Sequence, residues 1–580
     1  MKNNSFLQIL CDKVFFICFL FCLLICFNLK IFSTVLKSDI LLITFLFESF
    51  SLNGNLLINI KIIYIISLIL SILIVSNFCY KFFFKFFFSK SDIFNNIIEN
   101  IIEDISPIST YNNLVVCIGK SCDSNKTIYI NEKGLYQNIL ITGTIGSGKT
   151  SSIMYPLTEQ LLNHQNNNEY TKIGFLILDV KGNYYKQVIN YANAFNRLND
   201  IILIELNGKY KYNPLDKPNL KPIVLANRLK KILMLFSPNT TDSYWLDKSE
   251  QVISECIKLC RLYNDKYVTF IEIHKLISSR EYLNQKFLIL KDLFFSGKFN
   301  DNQIYDLSTS LDFFENEFWN LDSKVLSIIK SEITRITSVF VNDLDVLNTF
   351  CPSKEDLNFK GFTSVLRNGK IVILNMNIAT YNNLSKIIAT YLKLDFQGEV
   401  IARLSDVLTP SSRPVCFICD EFHEYVSISD SEFFAQSREA KCINIVTTQS
   451  YTSLLNTIKE PACVKVITQN LINKFWFRTD DTFTIEEAQK QIGKEDKQKI
   501  SKSISENAKE TNFNYLTNSF ISQNSNISES ISTYTQIDYK YDTKFFTQEL
   551  QTFSCLCFIS DGNKILPPCK VLLKPYFQDS

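Results

Sequence analysis

The chain has 580 residues, with 60 Lys or Arg against 58 Asp or Glu, a formal net charge of +2. At 46% hydrophobic and 20% charged residues it is too apolar to be disordered throughout and long enough for several domains with buried cores. The near-neutral balance excludes a global basic field, so any contact with nucleic acid has to be local.

Two uncharged apolar runs come first, residues 14–29 (VFFICFLFCLLICFNL) and 62–80 (IIYIISLILSILIVSNFCY). A spanning helix needs about 20 apolar residues, so the second fits and the first must borrow flanking residues. A cleaved signal peptide is the rival for the first run. No Ala precedes Ala192, however, and no small-x-small site follows the run. The expectation for residues 1–90 is a transmembrane helical hairpin with a juxtamembrane segment, both ends cytoplasmic, which makes the chain a multi-pass membrane protein with its remainder in the cytoplasm. Seventeen cysteines, an odd number without framework spacing, indicate free thiols in a reducing compartment. Cys416 and Cys419 point to opposite faces of one strand, and the three histidines share no ligand motif, so neither set predicts a metal site.

The segment 91–215 reads as the first part of a nucleotide-binding domain. The run 138–142 (NILIT) leads into Gly143-Thr144-Ile145-Gly146-Ser147-Gly148-Lys149-Thr150, followed by an apolar-periodic helix. This G-x-x-x-x-G-K-[ST] turn between strand and helix curls backbone N–H groups toward phosphate oxygens. Gly143, Thr144, Gly146, Ser147, Gly148, Lys149, Thr150 and Ser151 are the candidate nucleotide ligands, with Lys149 on the β/γ-phosphates and the Thr150 hydroxyl on Mg²⁺. An acidic partner is needed on another strand. Asp179 ends one apolar run (FLILDV), and Asp420-Glu421 end another (415–419). Only the second offers two carboxylates. Asp420 is assigned to hold Mg²⁺ through water and Glu421 to polarise the attacking water; Asp179 reads as a structural residue. The run 443–448 (INIVTT) ends at Gln449, placed to sense the γ-phosphate. Arg438, on a helix expected over 432–440, is either an arginine finger for a neighbouring subunit or a solvated charge. No N-K-x-D element is suitably placed, so ATP is the expected nucleotide.

Residues 216–345 are helix-patterned and interrupt the strand–helix alternation, which predicts an all-helical domain inserted into an α/β core. The segment 346–580 is the second part of the nucleotide-binding domain, with a polar flexible insertion expected at about 501–539 (ISQNSNISESISTYTQ).

The ordered set GTIGSGKT, LILDVKG, NPL (213–215), CDEF and TTQS, with the helix SYWLDKSEQVISECIKL and the segments 477–493 and 545–550, resembles the type IV secretion coupling ATPases of TraG/TraD type, the inner-membrane pumps of bacterial conjugation. The resemblance covers about five-sixths of the chain. It implies a RecA-like P-loop NTPase core, a homo-hexameric ring in the bacterial inner membrane, and single-stranded DNA with its relaxase passing to secretion-channel components. Arg438 falls where that family carries an arginine acting across the subunit interface. Val180 and Asn183 depart from the family's usual Pro and acidic residue. A related protein-export motor and a nucleotide-binding membrane receptor without turnover are the alternatives.

Overall fold

Short apolar runs, each four to seven residues, become strands because every side chain in them can be buried on one face or the other of a covered sheet. The computed structural model describes residues 114–236, 243–405, 413–506, 512–521 and 527–578. The strands are β1 (Val115–Ser121), β2 (Thr127–Asn131), β3 (Ile139–Thr142), β4 (Gly174–Leu178), β5 (Ile201–Ile204), β6 (Ile371–Leu374), β7 (Val415–Cys419), β8 (Cys442–Thr448), β9 (Asn473–Trp476), β10 (Lys494–Glu506), β11 (Asn512–Asn514), β12 (Ser519–Ile521), β13 (Ile527–Tyr539), β14 (Ser554–Phe558) and β15 (Cys569–Leu572). Eleven of them form one sheet in the order β2-β1-β15-β14-β9-β3-β8-β7-β4-β6-β5. From β9 to β5 all neighbours are parallel. From β9 to β2 they are antiparallel. Every residue of β3, β4, β6, β7, β8 and β9 is buried, the signature of a parallel sheet covered on both faces.

Between β5 and β6 the chain is helical, including Pro222–Phe236, Ser243–Tyr263, Phe270–Ser278, Arg280–Phe295, Asp301–Asp312, Ser323–Val341 and Leu344–Phe350. Local chemistry sets their starts. Asn300 and Gln303 form a reciprocal capping box, and Asp343 caps Leu344–Phe350. The apolar stripe Ile329, Ile333, Ile336 and Phe340 is fully buried, and Phe340 stacks on Phe270 with ring centroids 4.1 Å apart. A buried ionic joint ties this block to the sheet. Asp395, on helix Ile378–Ala402, is bonded by Lys217 and Arg228 at 2.8 Å each and by the Tyr212 hydroxyl at 2.8 Å.

Two expectations are corrected. The flexible polar insertion is instead a long antiparallel ribbon: β10 and β13 pair from Lys494↔Tyr539 to Glu506↔Ile527, with β11 and β12 paired as a second small ladder between them. Its Ser, Thr, Ile and Tyr residues favour extended backbone, but no face is buried to produce an apolar run. Register places Ile500, Ile504, Ile531 and Ile537 on one face, each at least 60% exposed. The second correction concerns the multi-pass inner-membrane localisation. Among the described residues no helix is long and apolar enough to cross a membrane. Helix Ile378–Ala402, although 25 residues long, is interrupted by Lys386, Lys393, Asp395 and Glu399, whose charges a bilayer core opposes. The two apolar runs behind the hairpin expectation lie outside the described residues.

Candidate nucleotide site

The parallel strands β3, β8, β7 and β4 lie side by side, so their C-terminal ends form one edge. Four sequence-distant segments meet there: the glycine-rich loop after β3, Gln449 after β8, Asp420-Glu421 after β7, and Asp179 after β4. This is the edge at which open α/β sheets bind ligands.

The loop is held from outside itself. Gly143 N–H donates to Gln449 O (3.2 Å) and Thr144 N–H to Arg478 O (2.9 Å). On the far side, Phe553 N–H donates to Ser147 O (3.3 Å) and Tyr576 N–H to Ser151 O (3.0 Å). Glycine is required at 148, where φ is +97° and a Cβ would stand 2.6 Å from the Phe553 ring. The chain then enters a π-helical turn, Thr150–Met154, that runs into helix Tyr155–Asn163. The curled loop thus sits at a helix N-terminus, where backbone N–H groups and the dipole favour an anion. Lys149 is buried, and its Nζ donates to Gly143 O (2.5 Å) and Thr144 O (3.2 Å). Burial lowers its pKa, and Glu421 and then Asp420 oppose that shift electrostatically.

The acidic pair is anchored through β8. Asp420 Oδ1 accepts from Thr447 Oγ1 (2.7 Å) and from Glu421 N–H (3.1 Å), which also reaches Thr447 Oγ1 (3.1 Å). Glu421 adopts a left-handed backbone (φ 51°, ψ 53°), a strained conformation of the kind found at functional turns. Its Oε2 is buried and has no hydrogen-bond partner among the described residues. Lys181 Nζ lies 3.8 Å from both Asp420 Oδ2 and Glu421 Oε1, and His423 Nδ1 is 3.7 Å from Glu421 Oε2. Burial raises the Glu421 pKa, Asp420 adds to it, and Lys149, Lys181 and Gln449 pull it back. A carboxylate held above its ordinary range is a better proton acceptor at neutral pH.

Asp179 is committed elsewhere. Its two oxygens accept the backbone N–H groups of Lys181 (2.9 Å), Asn183 (2.7 Å) and Tyr184 (2.8 Å), capping helix Tyr184–Ala194. Arg438 does not join the cluster. The helix expected over 432–440 ends at Gln436, and the chain turns through Lys441 at φ 49° into β8. Arg438 therefore lies exposed at the start of that strand, at the opposite edge, with Nη2 3.5 Å from Gly562 O. Seven residues of β8 at about 3.3 Å each separate the two ends by about 20 Å. Lys181, Thr447, Arg478, Phe553 and Tyr576 were not singled out by sequence. Lys181 lies within LILDVKG, Thr447 within TTQS and Arg478 within the segment 477–493, but those motifs assign them no role, and Phe553 and Tyr576 fall outside every motif.

The donor set suits a hard divalent cation. Thr150 and Asp420 supply oxygen, and Asp420 Oδ2 and the unbonded Glu421 Oε2 leave lone pairs at the edge. Among the described residues no group of three or more His, Cys, Asp or Glu converges on a metal position. Mg²⁺ fits such a site because it takes one or two protein oxygens and completes its shell with phosphate and water.

Residues 414–537 match the family model described as the TraM recognition site of TraD and TraG. Among solved structures, the fold is similar to the bacterial conjugative coupling protein TrwBdeltaN70 in its unbound form, with 12% identity, a TM-score of 0.51, and coverage of 79% of this chain and 88% of that one. It is similar also to the plasmid coupling protein TrwB in complex with the non-hydrolysable GTP analogue GDPNP, with 12% identity, a TM-score of 0.50, and coverage of 79% and 89%. VirB4 of Thermoanaerobacter pseudethanolicus aligns at 12% identity and a TM-score of 0.45 over 80% of this chain and 97% of that one. No curated protein matches the sequence. At such identities the structural likeness establishes the α/β fold of the coupling-protein core. With the family match, it bears out the TraG/TraD-type resemblance read from the motifs.

Proposed function

We propose, from its kinship with the TraG/TraD-type coupling proteins of type IV secretion, that this chain is an ATPase motor. It would couple Mg²⁺-dependent ATP hydrolysis to recruitment and translocation of DNA, or of a relaxase–DNA complex, into a conjugation channel. The observation that carries the reading is the convergence at one strand edge of a phosphate-binding loop, a buried lysine and a strained carboxylate pair.

The roles follow from position. Gly143, Thr144 and Ser147 shape the loop through their N–H bonds to Gln449, Arg478 and Thr144. The glycines Gly146 and Gly148 let it curl so that its remaining N–H groups face the phosphates, and Thr150 and Ser151 continue that row into the helix N-terminus. Lys149 neutralises charge between the β- and γ-phosphates. Mg²⁺, held by Thr150 and through water by Asp420, would offset the charge that develops on the phosphate oxygens. Glu421, with its raised pKa, accepts a proton from the attacking water. Gln449, bonded through its carbonyl to Gly143, links γ-phosphate occupancy to β8. Arg438, remote from this site in its own subunit, would serve only across the interface of a homo-hexameric ring. The segment 414–537 would carry a surface for a relaxosome protein of the TraM kind. TrwB binds a GTP analogue, but the missing N-K-x-D element favours ATP here.

The test is ATP turnover by the full chain with and without single-stranded DNA. Turnover that rises with DNA is expected. Glu421→Gln should lower it by about three orders of magnitude while ATP still binds. Lys149→Ala should lose both binding and turnover. A wild-type chain that binds ATP yet never hydrolyses it would leave the receptor reading in place of the motor.

A further inference from the structure

At the edge opposite the P-loop, where β4, β6 and β7 begin, lies an open cavity of about 760 Å³. It is bounded by helix Thr363–Asn368, the last two turns of Ile378–Ala402, and the segment entering Pro222–Phe236. Seven basic and three acidic residues line it. Two of the acids are already committed, Asp395 to Lys217 and Arg228, and Glu399 to Lys217 at 3.0 Å. Lys354 is paired with Asp265 outside the cavity. The third acid, Asp216, makes no ion pair among the described residues and lies in the field of Lys360, so four cations, Lys360, Arg367, Arg403 and Arg413, stand against one free carboxylate.

None of these four makes an ion pair among the described residues. Lys360 and Arg367 are exposed. Arg413 is buried and, among the described residues, donates to backbone carbonyls, those of Lys172, Glu169 and Arg367. Arg403 gives Nη1 to Arg413 O at 3.2 Å, but its Nε and Nη2 are buried and find no acceptor among the described residues. Burial holds the Arg413 pKa down at about 10 and lowers that of Arg403. Buried donors on a guanidinium that go unanswered are costly, and a planar fork with free N–H groups is the donor geometry that matches phosphate.

We infer that this cavity binds a phosphate-bearing anion, with the half-buried Arg403 as the anchor, Arg367 and Lys360 at the mouth, and Arg413 setting the positive field. The anion can be the phosphodiester of a single strand or a free nucleotide phosphate; both present the same oxygens. Strands of about five residues separate this cavity from the P-loop edge by about 15 Å, so it is a second site rather than an extension of the first.

The test uses the full chain carrying Lys149→Ala, which removes the P-loop's own grip on phosphate. Its probes are pyrophosphate, followed by calorimetry, and a fluorescent 20-nucleotide oligo(dT), followed by anisotropy. At least one probe should bind, and Arg403→Met with Arg367→Ala should weaken it at least tenfold. For the oligonucleotide, the loss of two contacts should flatten the dependence of log K on log salt by about 1.4. Arg367→Ala alone, at an exposed position where folding is not at stake, should cost at least threefold. Response of the oligonucleotide alone identifies the phosphodiester as the source, and response of pyrophosphate identifies a free phosphate group. Binding of neither probe, or binding unchanged within twofold in both variants, would overturn the assignment.

Discussion

The parallel strands β4, β7 and β8 and the ribbon β10–β13 are built from the same backbone geometry but from opposite kinds of sequence. In β4, β7 and β8 every residue is buried, and in β4 and β7 the side chains are apolar throughout, as in Gly174–Leu178 (GFLIL) and Val415–Cys419 (VCFIC). In the ribbon, polar and charged residues dominate, and Ile500, Ile504, Ile531 and Ile537 on one face stand in solvent. An apolar run therefore reports two-sided burial, and a strand without burial leaves only the weaker trace of β-branched composition. A lone two-stranded ribbon is marginal in water; this one is rooted where helix Thr482–Ile492 leads into it, with Gly493 O accepting Lys540 N–H at 3.2 Å.

Three substitutions would break or sharpen that contrast. The largest effect is expected at the ionic joint inside the core, where Asp395→Asn should cost about 3–5 kcal/mol by leaving Lys217 and Arg228 buried without their counter-charge. Burial alone would raise the Asp395 pKa, but Lys217 and Arg228 overcome it and hold the group below its ordinary value. The sign follows: the stabilisation is present above the unfolded carboxylate pKa of about 3.9 and is lost as pH falls through the depressed folded value. An acid-unfolding series on wild type and variant should show the difference closing at low pH. Next, Ile177→Ala in β4 should cost about 2–5 kcal/mol in denaturant unfolding, because the cavity opens inside a close-packed sheet. Smallest, Ile504→Ser on the ribbon should change stability by no more than about 0.5 kcal/mol. A loss comparable to that of Ile177→Ala would mean that the exposed isoleucine face is covered, and the contrast would fail.

What was legible in the sequence follows the same division. The glycine loop and the carboxylate pair announce themselves because phosphate chemistry restricts residue type at fixed spacing and the flanking strands are apolar. The partners that hold them do not. Thr447 is one of three polar residues in a buried run, and its bond to Asp420 depends on β7 and β8 being neighbours. Phe553 and Tyr576 reach the loop from about 400 residues downstream, a proximity that only sheet order creates. The helix over 432–440 was drawn too long because apolar periodicity does not reveal the Ser437–Lys441 turn. That turn is fixed by long-range bonds, such as Ser437 Oγ to Asn138 Oδ1 at 3.3 Å and Asn444 Nδ2 to the same oxygen at 2.6 Å.

The order of the sheet also has a consequence for how the molecule is made. Strands β14 and β15 are inserted between β1 and β9, so β1 gains its second neighbour only from a strand about 450 residues further along the chain. Because Phe553 and Tyr576 brace the phosphate loop, a polypeptide made only as far as β13 would carry the full P-loop sequence without its finished shape. The bracing therefore arrives late in a fold whose pairings are unusually distant along the polypeptide.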